Sequence, residues 1–266
     1  MVATISSTFS PQYIYFVPIT TWCFNKLGID VICFLPKIKT AQDERIVDLI
    51  FNTREDKRLS LNMLSVNCNE NQEATYIQCS RIYGAAINNI DEGEYLVTGD
   101  VDMLIFEMPP KVQDRILVWG SDLTPPNQYP ICYLVGTVAK WREVMGINSR
   151  TYQECLDNLL GHIDCQDMRG NYWAKDQEEA YNRISQHDPY LIKRARQGTQ
   201  FASRRIDRDD SFWEERISPD IVDAHLWRPG YTDENFPKIL HLLTSMYPME
   251  NFDWLKSYTE KFKKLL

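Results

Sequence analysis

The sequence predicts an α/β fold with a mostly parallel central sheet flanked by helices, and three observations predict it. Apolar runs such as Ile29–Leu35 are continuous rather than alternating, as in strands buried on both faces. Helix-period stretches separate these runs through the first hundred residues. The chain has 266 residues and 44% hydrophobic side chains, enough to bury a sizeable core in one domain.

The elements follow in order. Thr4–Ser10 reads as a short β-branched strand, and Gln12–Leu27 as a helix closed by Gly28. Ile29–Leu35 is a strand closed by Pro36, Ala41–Asn52 has helical spacing, and Leu59–Val66 reads as a strand. Thr75–Ile90 places Tyr76, Cys79, Ile82, Tyr83 and Ala86 on one helical stripe, and Glu94–Phe106 holds a strand. After Pro109-Pro110 the rhythm changes. Arg115–Trp119 and Tyr129–Val135 read as strands, and Val138–Met145, Tyr152–Leu160 and Tyr172–Ser185 as helices. Leu191–Arg216 is charged and aperiodic, a long loop of the kind often functional. Ile221–Leu226 is a short strand, and Asn235–Leu266 is helical. The expectation is a single domain over 1–266, with a ligand-binding half at 1–108 and a half facing a second substrate, carrying the C-terminal helices, at 109–266.

Composition narrows the function. A formal net charge of -8 repels phosphate backbones and argues against a nucleic-acid partner. The best local exception is Lys193–Arg208, a basic stretch followed at once by Asp209 and Asp210. It reads as a solvated face or as a surface toward a diphosphate or a second substrate. Seven scattered cysteines without a CxxC pair argue for reduced thiols and a cytoplasmic setting. No apolar stretch reaches the ~18–20 residues of a membrane span, and no secretory signal is evident.

The central motif is YLVTGDVDMLIF. Tyr95–Val97 form a buried strand, and Asp100 and Asp102 emerge at its carboxyl end, where open α/β sheets bind ligands. Residues two apart on an extended chain point the same way, so both carboxylates face one cation. Hard divalent ions such as Mn²⁺ or Mg²⁺ take such oxygen ligands and bridge them to phosphate. The alternative is a turn with two solvated or capping aspartates.

This stretch resembles the D-x-D motif of the GT-A-type glycosyltransferases, and the order of elements over roughly residues 3–230 is similar to theirs. The resemblance implies a nucleotide-diphospho-sugar transferase fold. It also implies a metal-dependent glycosyltransferase acting on a nucleotide-sugar donor, UDP-linked in most of the family, and a carbohydrate or other hydroxyl acceptor. Asp100 and Asp102 would bind Mn²⁺ or Mg²⁺, and the backbone at Val101 would approach the ribose. Ser7, Thr8 and Phe9 would border the nucleobase, with Tyr13 stacking on it or sitting in the core. Arg81 would lie near the donor or form a surface ion pair.

Two later constellations extend the resemblance. In IVDAHLWRPGY, His225 would complete the metal site, or be a satisfied core histidine, and Arg228 would reach a phosphate. In NYWAKDQEEAYNRI, Asp176 with Gln177 would face the donor sugar or the acceptor hydroxyl, with Trp173 packing on the sugar ring or in the core. As a helix cap, Asp176 would have a purely local role. Gly136-Thr137, at the end of a strand, would meet the sugar. The Asp-Gln pair resembles retaining more than inverting members. Competing readings are a non-catalytic sugar- or nucleotide-binding protein on the same fold and a D-x-D phosphatase. The phosphatase motif comes in a first strand and continues Gly-Thr, whereas Met103-Leu104 follows here.

Overall fold

The computed structural model describes residues 1–54, 58–65, 70–147, 151–162, 174–193, 204–208 and 217–266. A seven-stranded sheet organises it, in the order β3-β2-β1-β4-β7-β6-β8. Its strands are β1 (Val2–Ser6), β2 (Asp30–Pro36), β3 (Leu59–Leu64), β4 (Tyr95–Thr98), β6 (Leu117–Trp119), β7 (Leu134–Thr137) and β8 (Tyr190–Ile192). All run the same way except β7, which is antiparallel to both neighbours. A second sheet, ordered β5-β10-β9, joins β5 (Met103–Ile105), β9 (Arg205–Ile206) and β10 (Asp223–His225). Strands from either side of residue 108 share both sheets.

The continuous apolar strands have the expected cause. In β2, Cys33 and Leu35 enter one core cluster and Phe34 the other; in β4, Val97 and Leu96 divide in the same way. One face is covered by α2 (Val17–Lys26), α8 (Asn235–Met246) and α9 (Asp253–Lys263). The other carries α4 (Glu70–Ser80), α5 (Val138–Val144), α6 (Tyr152–His162) and α7 (Lys175–Ile184). Tyr15 ties α9 down from the loop before α2, its hydroxyl 2.8 Å from that of Thr259. Helix α3 (Ala41–Phe51) starts at a capping box. Thr40 Oγ1 accepts from the Asp43 amide at 3.1 Å, and the Asp43 carboxylate accepts from the Thr40 amide at 2.9 Å.

Several expected elements are divided. Gln12–Leu27 is two helices, α1 (Pro11–Ile14) and α2, because Pro18 has no amide hydrogen and opens α2 at its first turn. Gly28, at φ +76, ends α2 as expected. Helix α4 tightens into a 3₁₀ segment, Arg81–Ala86. It packs so closely on β1 that a Cβ at Gly84 would lie 2.5 Å from Thr4 Cγ2. The Glu94–Phe106 strand breaks at Gly99 and continues, as β5, in the other sheet. Tyr129–Cys132 is irregular, Tyr133 exchanges backbone hydrogen bonds with Trp119, and the strand itself is Leu134–Thr137. The loop expected at Leu191–Arg216 contains the end of β8 and all of β9. Trp173, Cys68, Cys165, Arg194 and Arg196 lie outside the described residues.

Candidate functional site

The strand order reverses between β1 and β4, both parallel, with their chains continuing to opposite sides. A crevice opens at the carboxyl edge of such a switch point. An open cleft of about 390 Å³ lies there. Ser6, Ser7, Thr8 and Tyr13 line it from the end of β1, and Asp100, Val101 and Asp102 from the end of β4.

Asp100 and Asp102 do not share a strand. Val101 and Asp102 form a turn closed by the Met103 amide donating to the Asp100 carbonyl at 3.2 Å. The extended-chain argument for their common direction therefore does not hold. They reach one cleft because the turn sits between the two sheets. Thr20 donates to the Val101 carbonyl and pins it from α2.

The small sheet brings His225 to Asp102. In the antiparallel pairing of β5 and β10, His225 lies opposite Met103, and the Leu226 amide donates to the Asp102 carbonyl at 2.9 Å. His225 Nε2 is 3.3 Å from Asp102 Oδ2, and Nδ1 is 3.5 Å from Asp207 Oδ1. Burial works against charge on the imidazole, but hydrogen bonds to Asp102 and Asp207 outweigh it and hold its pKa at about 9. Strand β9 runs parallel to β10 with Asp223 opposite Arg205, so Asp207 and Arg208 follow beside His225. Arg205, Asp207 and Arg208 line the cleft, and so does Arg228. Arg228 Nε is 3.3 Å, and Arg208 Nη1 3.5 Å, from Asp102 Oδ2.

Arg81 is 4% exposed and stands between two carboxylates, Asp100 and Asp176, pairing with each. Burial lowers its pKa, but the two anions more than compensate and keep it charged. Burial pushes the Asp100 carboxyl up, yet Arg81 and the Cys132 thiol bring it below the usual range. Asp176 ends above its ordinary value because burial exceeds the pull of Arg81.

The remaining predicted residues divide. Gln177 lines the cleft, but Asp176 does not: it is 1% exposed behind Arg81, in the first turn of a helix whose N-cap is Ala174. Phe9 is outside the lining and packs on the core. Tyr13 borders the cleft with the Arg228 guanidinium carbon 4.6 Å from its ring centroid, so a cation already covers that ring face. Gly136 and Thr137 are displaced altogether. In the antiparallel β7 they pair with Leu96 and Tyr95, at the amino end of β4, away from the cleft. Thr137 caps α5 by accepting from the Lys140 amide at 3.2 Å, and a Cβ at Gly136 would lie 2.4 Å from Ile116 Cδ1. The strand was expected to end at the ligand; its reversed direction puts the preceding loop there instead.

That loop supplies Cys132, whose thiol donates to Asp100 Oδ2 at 2.8 Å. Thr98 holds the loop, donating to the Ile131 carbonyl at 2.6 Å and accepting from the Leu134 amide at 3.2 Å. Cys132, Ser6, Asp207, Arg205 and Arg208 were not among the predicted site residues; the basic stretch ending at Arg208 was the only signal for the last two. Two buried polar atoms of cleft residues, Ser6 Oγ and Arg81 Nε, have no hydrogen-bond partner among the described residues.

No family model matches the sequence, and no curated protein matches it. Solved structures do. Over the whole of both chains the structure is similar to the galactosyltransferase LgtC, solved in complex with donor and acceptor sugar analogues, with a TM-score of 0.53 at 8% identity. It is also similar to the glycosyltransferase GlyE of Streptococcus pneumoniae TIGR4, with a TM-score of 0.51 at 10% identity, over 99% of this chain and 63% of that one. The fold is that of the GT-A glycosyltransferases. On this GT-A fold the cleft gathers three kinds of group: carboxylates at a strand end, an imidazole beside them, and a set of guanidinium groups around both. Among the described residues no helix is long and apolar enough to cross a membrane.

Proposed function

We propose that the chain is a metal-dependent glycosyltransferase, moving a sugar from a nucleotide-diphosphate sugar to a hydroxyl of a carbohydrate or other acceptor. One observation carries this reading: Asp100, Asp102 and His225 converge on a single cleft at the switch point of a GT-A sheet. UDP-sugars are the first donors to test.

The donor set suits Mn²⁺ or Mg²⁺ by type, with two carboxylates and one imidazole. Among the described residues no three such side chains are arranged to hold an ion as they stand. Asp100 is engaged by Arg81 and Cys132, and Asp102 by His225, Arg208 and Arg228. His225 is itself a candidate ligand and the Asp100 side chain is partly exposed, so the donor set fits the ion once the Arg208 and Arg228 side chains shift from Asp102. A bound ion would act as a Lewis acid on the departing diphosphate, held by Asp100, Asp102 and His225.

The chain's own groups do the rest. Arg228, in the same cleft, offers bidentate donors to phosphate oxygens, where charge grows as the sugar leaves. Ser6, Ser7 and Thr8 offer hydroxyls to the nucleoside end, and a Ser6 Oγ with no hydrogen-bond partner among the described residues supports a ligand there. Asp176 is a positioning residue. It holds Arg81 and accepts from the Gln177 amide at 2.9 Å, which sets Gln177 at the cleft wall. The Asp176-Gln177 pair resembles that of retaining members, so a retaining course is the favoured one.

The test is a thermal-shift screen of nucleoside diphosphates and nucleotide-sugars, each with and without Mn²⁺, followed by turnover assays. Asp102→Asn should lower turnover at least about 100-fold while circular dichroism stays native, and EDTA should stop the reaction until Mn²⁺ is restored. Undiminished turnover in the variant or in chelator removes the metal role. Ligand binding without turnover favours a binding protein, and phosphate release from a small phosphomonoester favours a phosphatase.

A further inference from the structure

Strands β9 and β10 place a second carboxylate behind His225. They run parallel with Arg205 opposite Asp223 and Ile206 opposite Ala224, so Asp207 and His225 come next on the two segments. Side chains alternate along such a pair. Ile206 and Ala224 are fully buried in the core, whereas Arg205, Asp207 and His225 line the cleft. The Asp207–His225 pair is tied on both sides. Before it, the Val222 amide donates to the Arg204 carbonyl at 2.7 Å; after it, the Trp227 indole donates to the Arg208 carbonyl at 2.9 Å. His225 Nδ1 is 3.5 Å from Asp207 Oδ1, while Nε2, across the ring, is 3.3 Å from Asp102 Oδ2. Closing the first gap by a few tenths of an ångström makes a hydrogen bond of ordinary length.

We propose that Asp207 is a positioning residue that holds the His225 imidazole with Nε2 toward the ion that Asp102 would bind. The inference rests on the metal reading above, and Asp207 is no ligand in it. An imidazole can offer either nitrogen to an ion, and the hydrogen bond made by the other nitrogen decides which. With Nδ1–H donating to the Asp207 carboxylate, Nε2 keeps its lone pair for the ion, on the side where Asp102 stands. The carboxylate also makes the ring a stronger ligand. Because backbone ties fix Asp207 relative to His225, the ring is already oriented and loses little freedom on binding.

The experiment measures the Mn²⁺ affinity of the full chain in the presence of UDP, from the paramagnetic resonance of free Mn²⁺ and corrected for ion held by UDP in solution. Asp207→Ala should weaken Mn²⁺ binding about 10- to 100-fold. Asp207→Asn should lose less, because its amide oxygen still accepts from Nδ1. In a His225→Ala background Asp207→Ala should have no further effect, since the ring it acts through is gone. Cobalt supplies a second readout. In the Co²⁺-loaded wild type the Nδ1 proton of His225 should give a slowly exchanging, paramagnetically shifted resonance, absent from His225→Ala and lost to exchange with water in Asp207→Ala. Melting curves establish that each variant is folded. Asp207→Ala with wild-type Mn²⁺ affinity, or a loss of the same size with and without His225, overturns the proposal and leaves the metal site standing. So does a Co²⁺-loaded wild type that lacks the proton resonance, a result that needs no variant. Undiminished Mn²⁺ affinity in His225→Ala removes His225 as a ligand and the proposal with it. Wild-type protein that takes up no Mn²⁺ removes the metal reading as well.

Discussion

Replacing Arg81 with methionine keeps the aliphatic bulk and removes the charge between Asp100 and Asp176. The two carboxylates differ in environment: the Asp100 side chain is 34% exposed and can turn to water, while that of Asp176 is 1% exposed and cannot. Removing one partner of a buried pair costs about 3–5 kcal/mol, because the remaining charge stays desolvated. For a chain of this size that is a fall in melting temperature of about 6–20 °C. The loss depends on pH. The Asp176 pKa is already raised in the folded state, and it climbs further without Arg81. A raised carboxyl contributes stability at low pH that is lost as pH rises through the folded value, so the deficit should be smallest in acid and grow toward neutrality. The assay is urea unfolding at several pH values for Arg81→Met, Asp176→Asn and the double variant. The double variant should be more stable than the sum of the single losses implies, since it leaves no buried charge unpaired and Asp100 can turn to water. Strict additivity, or a neutral-pH loss below about 1 kcal/mol in Arg81→Met, would refute this account of the buried pair.

Two further outcomes follow from the site and its surroundings. His225→Ala should weaken Mn²⁺ binding in the presence of nucleotide while moving the melting temperature little, because the imidazole lies at the cleft wall with 20% of its side chain exposed; a large stability loss with unaltered metal affinity would make it a structural residue. Gly136→Ala should cost about 1–3 kcal/mol, since its Cβ meets Ile116 and the Arg115 carbonyl, and leave nucleotide affinity unchanged. A loss of affinity without a loss of stability would return that strand end to the site.

Local chemistry marks most of the elements. Gly28 ends α2, Thr40 and Asp43 cap α3, and the unbroken apolar runs announce strands covered on both sides. A motif that lies next to a strand is also readable, which is why Asp100 and Asp102 could be named. Strand direction is not written locally: nothing in Leu-Val-Gly-Thr says that β7 runs against its neighbours. Its reversal moves Gly136 and Thr137 out of the cleft and brings Cys132 in.

What the sequence by itself determined is therefore the fold class, the placement of most helices and strands, and the pair of carboxylates at the end of β4. Only the tertiary structure decided that β5 leaves the main sheet to join β10 and β9, and with that choice the environment of Asp102 was set. Backbone pairing of β10 with the distant β5 on one side and with β9 on the other puts His225, Asp207 and Arg208 around one carboxylate. The physical reason is range. Caps, turns and periodicity act over a few neighbouring residues, whereas a site built from segments far apart in the chain depends on sheet register, which is settled by the packing of the whole chain.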